Sequence, residues 1–224
     1  MDAIGELKRT RLVVLARGVS REVLVKGVCA IADAGVTLFE STFDHRREDC
    51  IAENAEKISA LVAALGDRMV VGAGTVLSPD EVRAAHDAGA SFIVSPDADP
   101  DVIAETKRLG MASIPGAMTP TEIKRAHALG ADVVKLFPAD DVGYHYIKNL
   151  KGPLPHIPLM VTGGVNPRTI PEFLSCGVLA VGTGVTIFRP DLVTAEDYEG
   201  IKALAREHVE AIRAAGNPAT TPTP

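Results

Sequence analysis

Short apolar runs alternate strictly with segments of helical length from one end of this chain to the other, and no other feature limits its fold so sharply. The runs are Leu12–Ala16, Val36–Ser41, Met69–Gly72, Ser91–Val94, Met111–Ile114, Val133–Phe137, Pro158–Val161 and Leu179–Val181. Each is too short for a helix, and most are bounded by Gly or Pro. Continuous apolarity over a few residues is what a parallel strand needs when helices cover both its faces. The helical segments carry their own punctuation. Asp33-Ala34-Gly35, Asp87-Ala88-Gly89, Arg108-Leu109-Gly110, Ala128-Leu129-Gly130 and Ser175-Cys176-Gly177 each end a helix on a glycine suited to the left-handed cap. Ser78-Pro79-Asp80-Glu81 and Thr119-Pro120-Thr121-Glu122 combine an N-cap, a first-turn proline and a glutamate three residues after the cap. From His45 to Leu65, the residues Ile51, Ala55, Ile58, Val62 and Leu65 form one apolar stripe at helical spacing. Eight such units predict a single α/β domain, a (β/α)8 TIM barrel over residues 1–216. The alternative is a doubly wound open sheet, which usually stops at about five or six strands. Residues 217–224, rich in Pro and Thr, are expected to form a disordered tail.

Composition narrows the partners. With 46% hydrophobic residues the chain is no disordered polymer, and its net charge of −6 lacks the concentrated positive charge that a nucleic-acid backbone requires. No apolar run approaches the roughly 20 residues of a membrane span. Lys8, Arg9 and Arg11 precede an apolar stretch too short for a secretory signal. Three cysteines, Cys29, Cys50 and Cys176, are odd in number and far apart, which suits a reducing cytoplasm. The expected partner is therefore a small molecule.

In a barrel the chemistry sits where strands end and the following loops begin. Those ends carry Glu40, Gly72-Ala73-Gly74-Thr75, Lys135, Thr162-Gly163-Gly164 and Gly182-Thr183-Gly184. Lys135 interrupts Val133-Val134-Lys135-Leu136-Phe137, a run that otherwise belongs inside a buried strand. Two readings stand. Its stem packs against apolar surface while the amine reaches the rim or a carboxylate, or burial lowers the pKa until the amine is nucleophilic and can form a Schiff base. Glu40 closes its own apolar run. It is either the structural salt-bridge partner of Lys135 or a carboxylate that moves protons for an imine intermediate. The two Gly-rich loops at the ends of strands seven and eight, with the N-terminus of a short following helix, suit a phosphate, and Thr162 and Thr183 would supply hydroxyls. Gly182-Thr183-Gly184-Val185 is not a dinucleotide fingerprint. The six histidines show no metal-ligand spacing, and His86, His127 and His208 fall within helical patterns as expected surface residues. No metal site is assigned.

Taken together, these residues resemble a known family, the class I 2-keto-3-deoxy-6-phosphogluconate aldolases, which also include 4-hydroxy-2-oxoglutarate and phosphogalactonate aldolases. The matching segments include Leu15-Ala16-Arg17-Gly18, Phe39-Glu40-Ser41-Thr42, Val71-Gly72-Ala73-Gly74-Thr75-Val76, Phe92-Ile93-Val94-Ser95-Pro96 and Ile114-Pro115-Gly116-Ala117. They continue through Val134-Lys135-Leu136-Phe137-Pro138-Ala139, Thr162-Gly163-Gly164-Val165 and Val181-Gly182-Thr183-Gly184. The resemblance implies a homotrimer of (β/α)8 barrels with no metal or organic cofactor. It implies Lys135 as the Schiff-base lysine and Glu40 as the general acid/base. It places Thr75 near a bound pyruvate moiety and Arg17, Pro96 and Phe137 against substrate, and it assigns Thr162, Gly163, Gly164, Gly182 and Thr183 to phosphate. The implied reaction is cleavage of a 2-keto-4-hydroxy acid, 2-keto-3-deoxy-6-phosphogluconate foremost, to pyruvate and glyceraldehyde 3-phosphate. Two alternatives remain: a phosphate-binding barrel enzyme that uses no imine, and a non-catalytic sugar-phosphate binder.

One position departs from the family pattern. Where many members carry an arginine for the substrate carboxylate, this chain has Asp44, followed by His45-Arg46-Arg47-Glu48-Asp49. A carboxylate facing the site would repel the substrate. Asp44 is therefore expected to turn outward or bind an arginine. Arg17 is the favoured residue for the substrate carboxylate, ahead of Arg46 or Arg47.

Overall fold

Side chains of a strand point alternately to its two faces, and in a closed sheet that alternation separates the barrel interior from the helical shell. A computed structural model describes residues 2–216 of the chain; the expected tail, residues 217–224, lies outside the described residues. One parallel sheet contains β1 (Leu12–Ala16), β2 (Leu38–Thr42), β3 (Val70–Gly74), β4 (Phe92–Val94), β5 (Ala112–Ile114), β6 (Gly116–Ala117), β7 (Val134–Leu136), β8 (Leu159–Thr162) and β9 (Ala180–Thr183). β1 pairs with β2 on one side and β9 on the other, and the series ends at β5 and β6. β5 lies within the predicted run Met111–Ile114, and β6 is a short segment beyond it, across Pro115, that no apolar run announced. β5 pairs with β4 and β6 pairs with β7, so the cylinder closes through the break. Eight predicted strands thus become nine segments of a (β/α)8 barrel. At the bend, a Cβ on Gly116 would lie 2.1 Å from the Pro96 carbonyl oxygen, so only glycine lets this strand approach the loop after β4.

Val13, Leu38, Val70, Phe92, Val133, Met160 and Ala180 fill the lower barrel interior. Their neighbours Leu12, Val14, Phe39, Val71, Ile93, Val134, Val161 and Val181 face outward into the helical shell. That shell contains α2 (Arg21–Asp33), α3 (Cys50–Leu65), α4 (Pro79–Asp87), α5 (Pro100–Arg108), α6 (Pro120–Ala128), α7 (Ala139–Lys151) and α8 (Ile170–Ser175). The pair α9 (Pro190–Thr194) and α10 (Tyr198–Ala214) completes it. The predicted caps form: Ser78 accepts from the Glu81 amide, and Thr119 and Glu122 make a reciprocal capping box. Among the described residues, no helix is long and apolar enough to cross a membrane.

Three helical expectations change. A helix that no apolar run announced, α1 (Ala3–Thr10), precedes β1 and buries Ala3 and Leu7 against the interior residues, covering the N-terminal end of the barrel. α3 starts at Cys50 rather than His45, and its buried face is Cys50, Asn54, Lys57, Ile58, Leu61 and Leu65, while Ile51 is exposed. The rotation follows from a buried polar pair. Ser41 Oγ donates to Asn54 Oδ1 at 2.6 Å, and Asn54 Nδ2 donates to the Ser41 carbonyl at 3.1 Å. Lastly, His208 is buried rather than on the surface, at 1% exposure. The inward face of α10 packs it over the end of β9, where both ring nitrogens find partners.

Candidate active site

Two residues above the interior layer, the next inward positions are Leu15, Glu40, Lys135, Thr162 and Gly182, at the C-terminal ends of five strands. They line one cavity of about 720 Å³ with Arg17, Thr75, Pro96, Phe137, Gly163 and Gly164. Every residue proposed for the site from sequence therefore meets at this rim, Thr183 included.

Lys135 is 7% exposed and paired in register with Gly116 and Met160. Loss of water pushes its ammonium pKa down, an effect that the carboxylate of Glu40 opposes and the charge of Arg17 reinforces. The amine lies 4.8 Å from the centre of the Phe137 ring. Glu40 is 2% exposed, and burial pushes its carboxyl pKa up against the attraction of Lys135 and Arg17. Its Oε2 has no hydrogen-bond partner among the described residues. Glu40 is thus not held as the salt-bridged partner of Lys135. Gly74 makes room for it, since a Cβ there would lie 2.8 Å from Glu40 Oε1.

Thr75 occupies the left-handed region at φ 59°, an uncommon conformation for a β-branched residue and one that concentrates at functional sites. Two contacts hold it. Its carbonyl accepts from His45 Nε2 at 2.9 Å, and its hydroxyl accepts from Arg17 at 2.8 Å. His45 carried no assigned role in the sequence, because only the fold brings it to Thr75. Asp44 binds an arginine, and that arginine is Arg46, whose Nε and Nη2 each lie 2.7 Å from a carboxylate oxygen. These bonds hold the Asp44 carboxyl at a pKa of about 2. Arg47 is engaged by Asp49. Among the described residues, Arg17 is the one arginine that lines the cavity.

The hydroxyls of the two glycine loops sit in different surroundings. Thr162 points inward, and its hydroxyl is buried without a partner among the described residues. Gly182 leaves space for it, because a Cβ there would lie 2.9 Å from that oxygen. The amides of Gly163 and Gly164 donate to no backbone carbonyl among the described residues. Asp140, in the first turn of α7, stands directly against both glycines and lines the cavity, although the sequence did not single it out. Thr183 shares the outward face of Val181. Its hydroxyl lies 3.0 Å from the Val165 carbonyl and 2.7 Å from the Thr186 hydroxyl, while the residue lines the same cavity. No full helix follows β9 at once. A single turn closes at Gly184, whose carbonyl accepts from the amides of Ile187 and Phe188, and α9 starts only at Pro190. Among the described residues, no group of three or more His, Cys, Asp or Glu side chains is placed to hold a metal ion.

The chain is 31% identical over 203 residues to a 2-dehydro-3-deoxy-6-phosphogalactonate aldolase of Escherichia coli K12, covering 90% of this chain and 96% of that protein. It is 32% identical over 185 residues to a 2-dehydro-3-deoxy-phosphogluconate aldolase of Treponema pallidum, covering 82% and 84%. Its fold superposes on a native KDPGal structure with a TM-score of 0.82 at 32% identity, over 91% of this chain and 95% of that one. The family described as KDPG and KHG aldolase matches residues 4–204, a span that contains all nine strands and the whole rim just described. The chain therefore belongs to the KDPG and KHG aldolases and is a carbon–carbon lyase.

Proposed function

We propose that this aldolase cleaves a phosphorylated 2-keto-4-hydroxy acid, 2-keto-3-deoxy-6-phosphogluconate foremost, to pyruvate and glyceraldehyde 3-phosphate by a Schiff-base mechanism. The observation that carries the reading is the pairing in one cavity of a buried amine of lowered pKa with a buried carboxyl whose outer oxygen is unpartnered. The neutral Lys135 amine attacks the C2 ketone, and the resulting carbinolamine loses water to give an iminium. Glu40 takes the proton of the C4 hydroxyl. The C3–C4 bond breaks, its electron pair moves into C3 to form an enamine, and the iminium nitrogen is the electron sink. The aldehyde leaves, C3 is reprotonated, and water releases pyruvate and the free amine. Since the iminium accepts the electrons, this route calls for neither a metal nor an organic cofactor. Thr162 and the amides of Gly163 and Gly164 are the donors offered to the phosphate. The same proposal has the enzyme acting as a homotrimer, as the family resemblance implies, in the cytoplasm, which its three far-apart cysteines suit, and sedimentation equilibrium tests the trimer.

The E. coli relative's name favours a second substrate of the same class, the phosphogalactonate epimer. Pyruvate release across both epimers, their unphosphorylated counterparts and 4-hydroxy-2-oxoglutarate separates the readings. A phosphorylated six-carbon acid is expected to have the highest kcat/KM. No pyruvate from any of them would overturn the reaction, and equal rates with and without phosphate would overturn the anion site.

With Asp44 bound to Arg46, the substrate carboxylate falls to Arg17, whose guanidinium is held at the rim by Thr75. A charge-assisted hydrogen bond of this type contributes enough that Arg17→Ala should raise KM roughly tenfold to a hundredfold. Arg46→Ala and Arg47→Ala should change it by no more than about twofold, as expected for exposed ion pairs. Equal, small effects from all three would show that another group, such as the backbone amides near Thr75, holds the carboxylate.

A further inference from the structure

Behind the cavity wall a hydrogen-bond chain runs from α10 to the loops that follow β8 and β9. Its first member is His208, with Nδ1 2.7 Å from the Leu204 carbonyl oxygen. A carbonyl can only accept, so Nδ1 carries a proton. Burial lowers the imidazole pKa, which favours the neutral ring and leaves Nε2 as an acceptor. Thr186 Oγ1 lies 3.0 Å from Nε2 and so donates to it. Each hydroxyl has one proton: with that of Thr186 given to His208, Thr183 donates either to Thr186 Oγ1 at 2.7 Å or to the Val165 carbonyl at 3.0 Å, and the 3.3 Å approach of Thr186 Oγ1 to the same carbonyl carries no proton. The histidine therefore sets the direction of the Thr186 proton and leaves that of Thr183 to Thr186 or to Val165. Val165 directly follows Gly163 and Gly164, whereas Thr183 ends β9 and Thr186 lies within the single turn that follows. Val165, Thr183 and Thr186 all line the cavity, but His208 does not.

We propose that His208 is a positioning residue for anion binding: it anchors Thr186 and, through Thr183 and Val165, fixes the spacing of the two loops that face the substrate phosphate. The inference rests on the reading of those loops as the phosphate site. The first loop is tied to the start of α8, whose N-cap residue is Thr169, whereas among the side-chain hydrogen bonds of the described residues it is His208 that ties the second loop to α10. Thr169 Oγ1 and Asn166 Nδ2 brace the Gly164 carbonyl, and among the side-chain hydrogen bonds of the described residues the two loops meet through Thr183 and Thr186 on the Val165 carbonyl, with His208 holding Thr186 from behind.

The test compares the full-length protein with His208→Leu, His208→Gln and Thr186→Val. Each is assayed on 2-keto-3-deoxy-6-phosphogluconate and on 2-keto-3-deoxygluconate, with inorganic phosphate as competitive inhibitor and thermal melting alongside. Loss of one hydrogen bond in the chain should raise KM for the phosphorylated acid, and the inhibition constant of phosphate, about three- to tenfold. Values for the unphosphorylated acid should stay within about twofold. His208→Gln restores an acceptor for Thr186 and should recover most of the loss. His208→Leu added to Thr186→Val should do little more than Thr186→Val alone, because the link is already cut. If His208→Leu does not fold, Thr186→Val and His208→Gln still read the same link from either end. Equal losses on both substrates, or a lowered melting temperature with unchanged kinetics, would show a residue that only packs. Wild-type enzyme indifferent to phosphate would instead remove the phosphate reading, and this inference with it. Wild-type preference for phosphate that survives in every variant would leave that reading standing and overturn the role of His208 alone.

Discussion

Incubation with pyruvate and borohydride is expected to leave a stable adduct on Lys135, and Lys135→Arg is expected to form no adduct and release no pyruvate. The loss is complete because the reaction has no detour around the imine. A guanidinium stays protonated at any workable pH and cannot attack a ketone, so the positive charge is retained while the chemistry is removed. Lys135 suits the role because burial lowers its pKa despite the carboxyl of Glu40 in the same cavity. The sign for pH follows: the reactive form is the neutral amine, so kcat/KM should rise with pH as the ammonium loses its proton. The midpoint of that rise should lie below the ordinary lysine range, in keeping with the direction of the shift. Peptide mass spectrometry locates the adduct. An adduct on a different lysine, or none with wild-type enzyme, would refute the Schiff-base mechanism.

The second large effect belongs to Glu40. Glu40→Gln should lower kcat by roughly 100- to 10,000-fold, the usual contribution of a positioned proton-transfer group, while imine trapping on Lys135 persists. Glutamine keeps the shape that Gly74 accommodates but cannot take the proton of the C4 hydroxyl. Stability should hold or rise, since the substitution removes an ionisable group from a desolvated place where its Oε2 has no partner. Calorimetry beside the kinetics decides between the roles. A melting temperature that falls together with activity would make Glu40 a structural partner of Lys135 instead.

Both residues were legible in the chain because each breaks an apolar strand at its C-terminal end. An ionisable side chain in such a run must be paired, exposed or functional, and the period of two then places it on the interior face beside Leu38 or Val133. The alternation of strands and helices was legible for a related reason. Apolar period, caps such as Thr119 with Glu122, and glycine terminators act within a few residues, so they can be read without knowing what lies across the barrel.

Contacts between distant segments were not legible. The segment β6 beyond Pro115 was not announced, because it exists to pair with β7 while β5 pairs with β4 and Gly116 passes the Pro96 carbonyl. Asn54 turns inward to Ser41, so the buried face keeps Ile58 and Leu65 of the apolar stripe but leaves Ile51 exposed. Thr183 lies one residue out of phase with the interior, and the contacts of its hydroxyl with Val165 and Thr186 could not be read from its neighbouring glycines. His45 on Thr75 and His208 on Thr186 are contacts between segments 30 and 22 residues apart. By itself the sequence determined the barrel, the matched family segments and the two ionisable groups at its rim, since each follows from local periodicity or from burial along a single strand. Only the tertiary structure decided which hydroxyls and cations face the cavity, because a side chain's free donors are known only once every partner that competes for them has been brought into place.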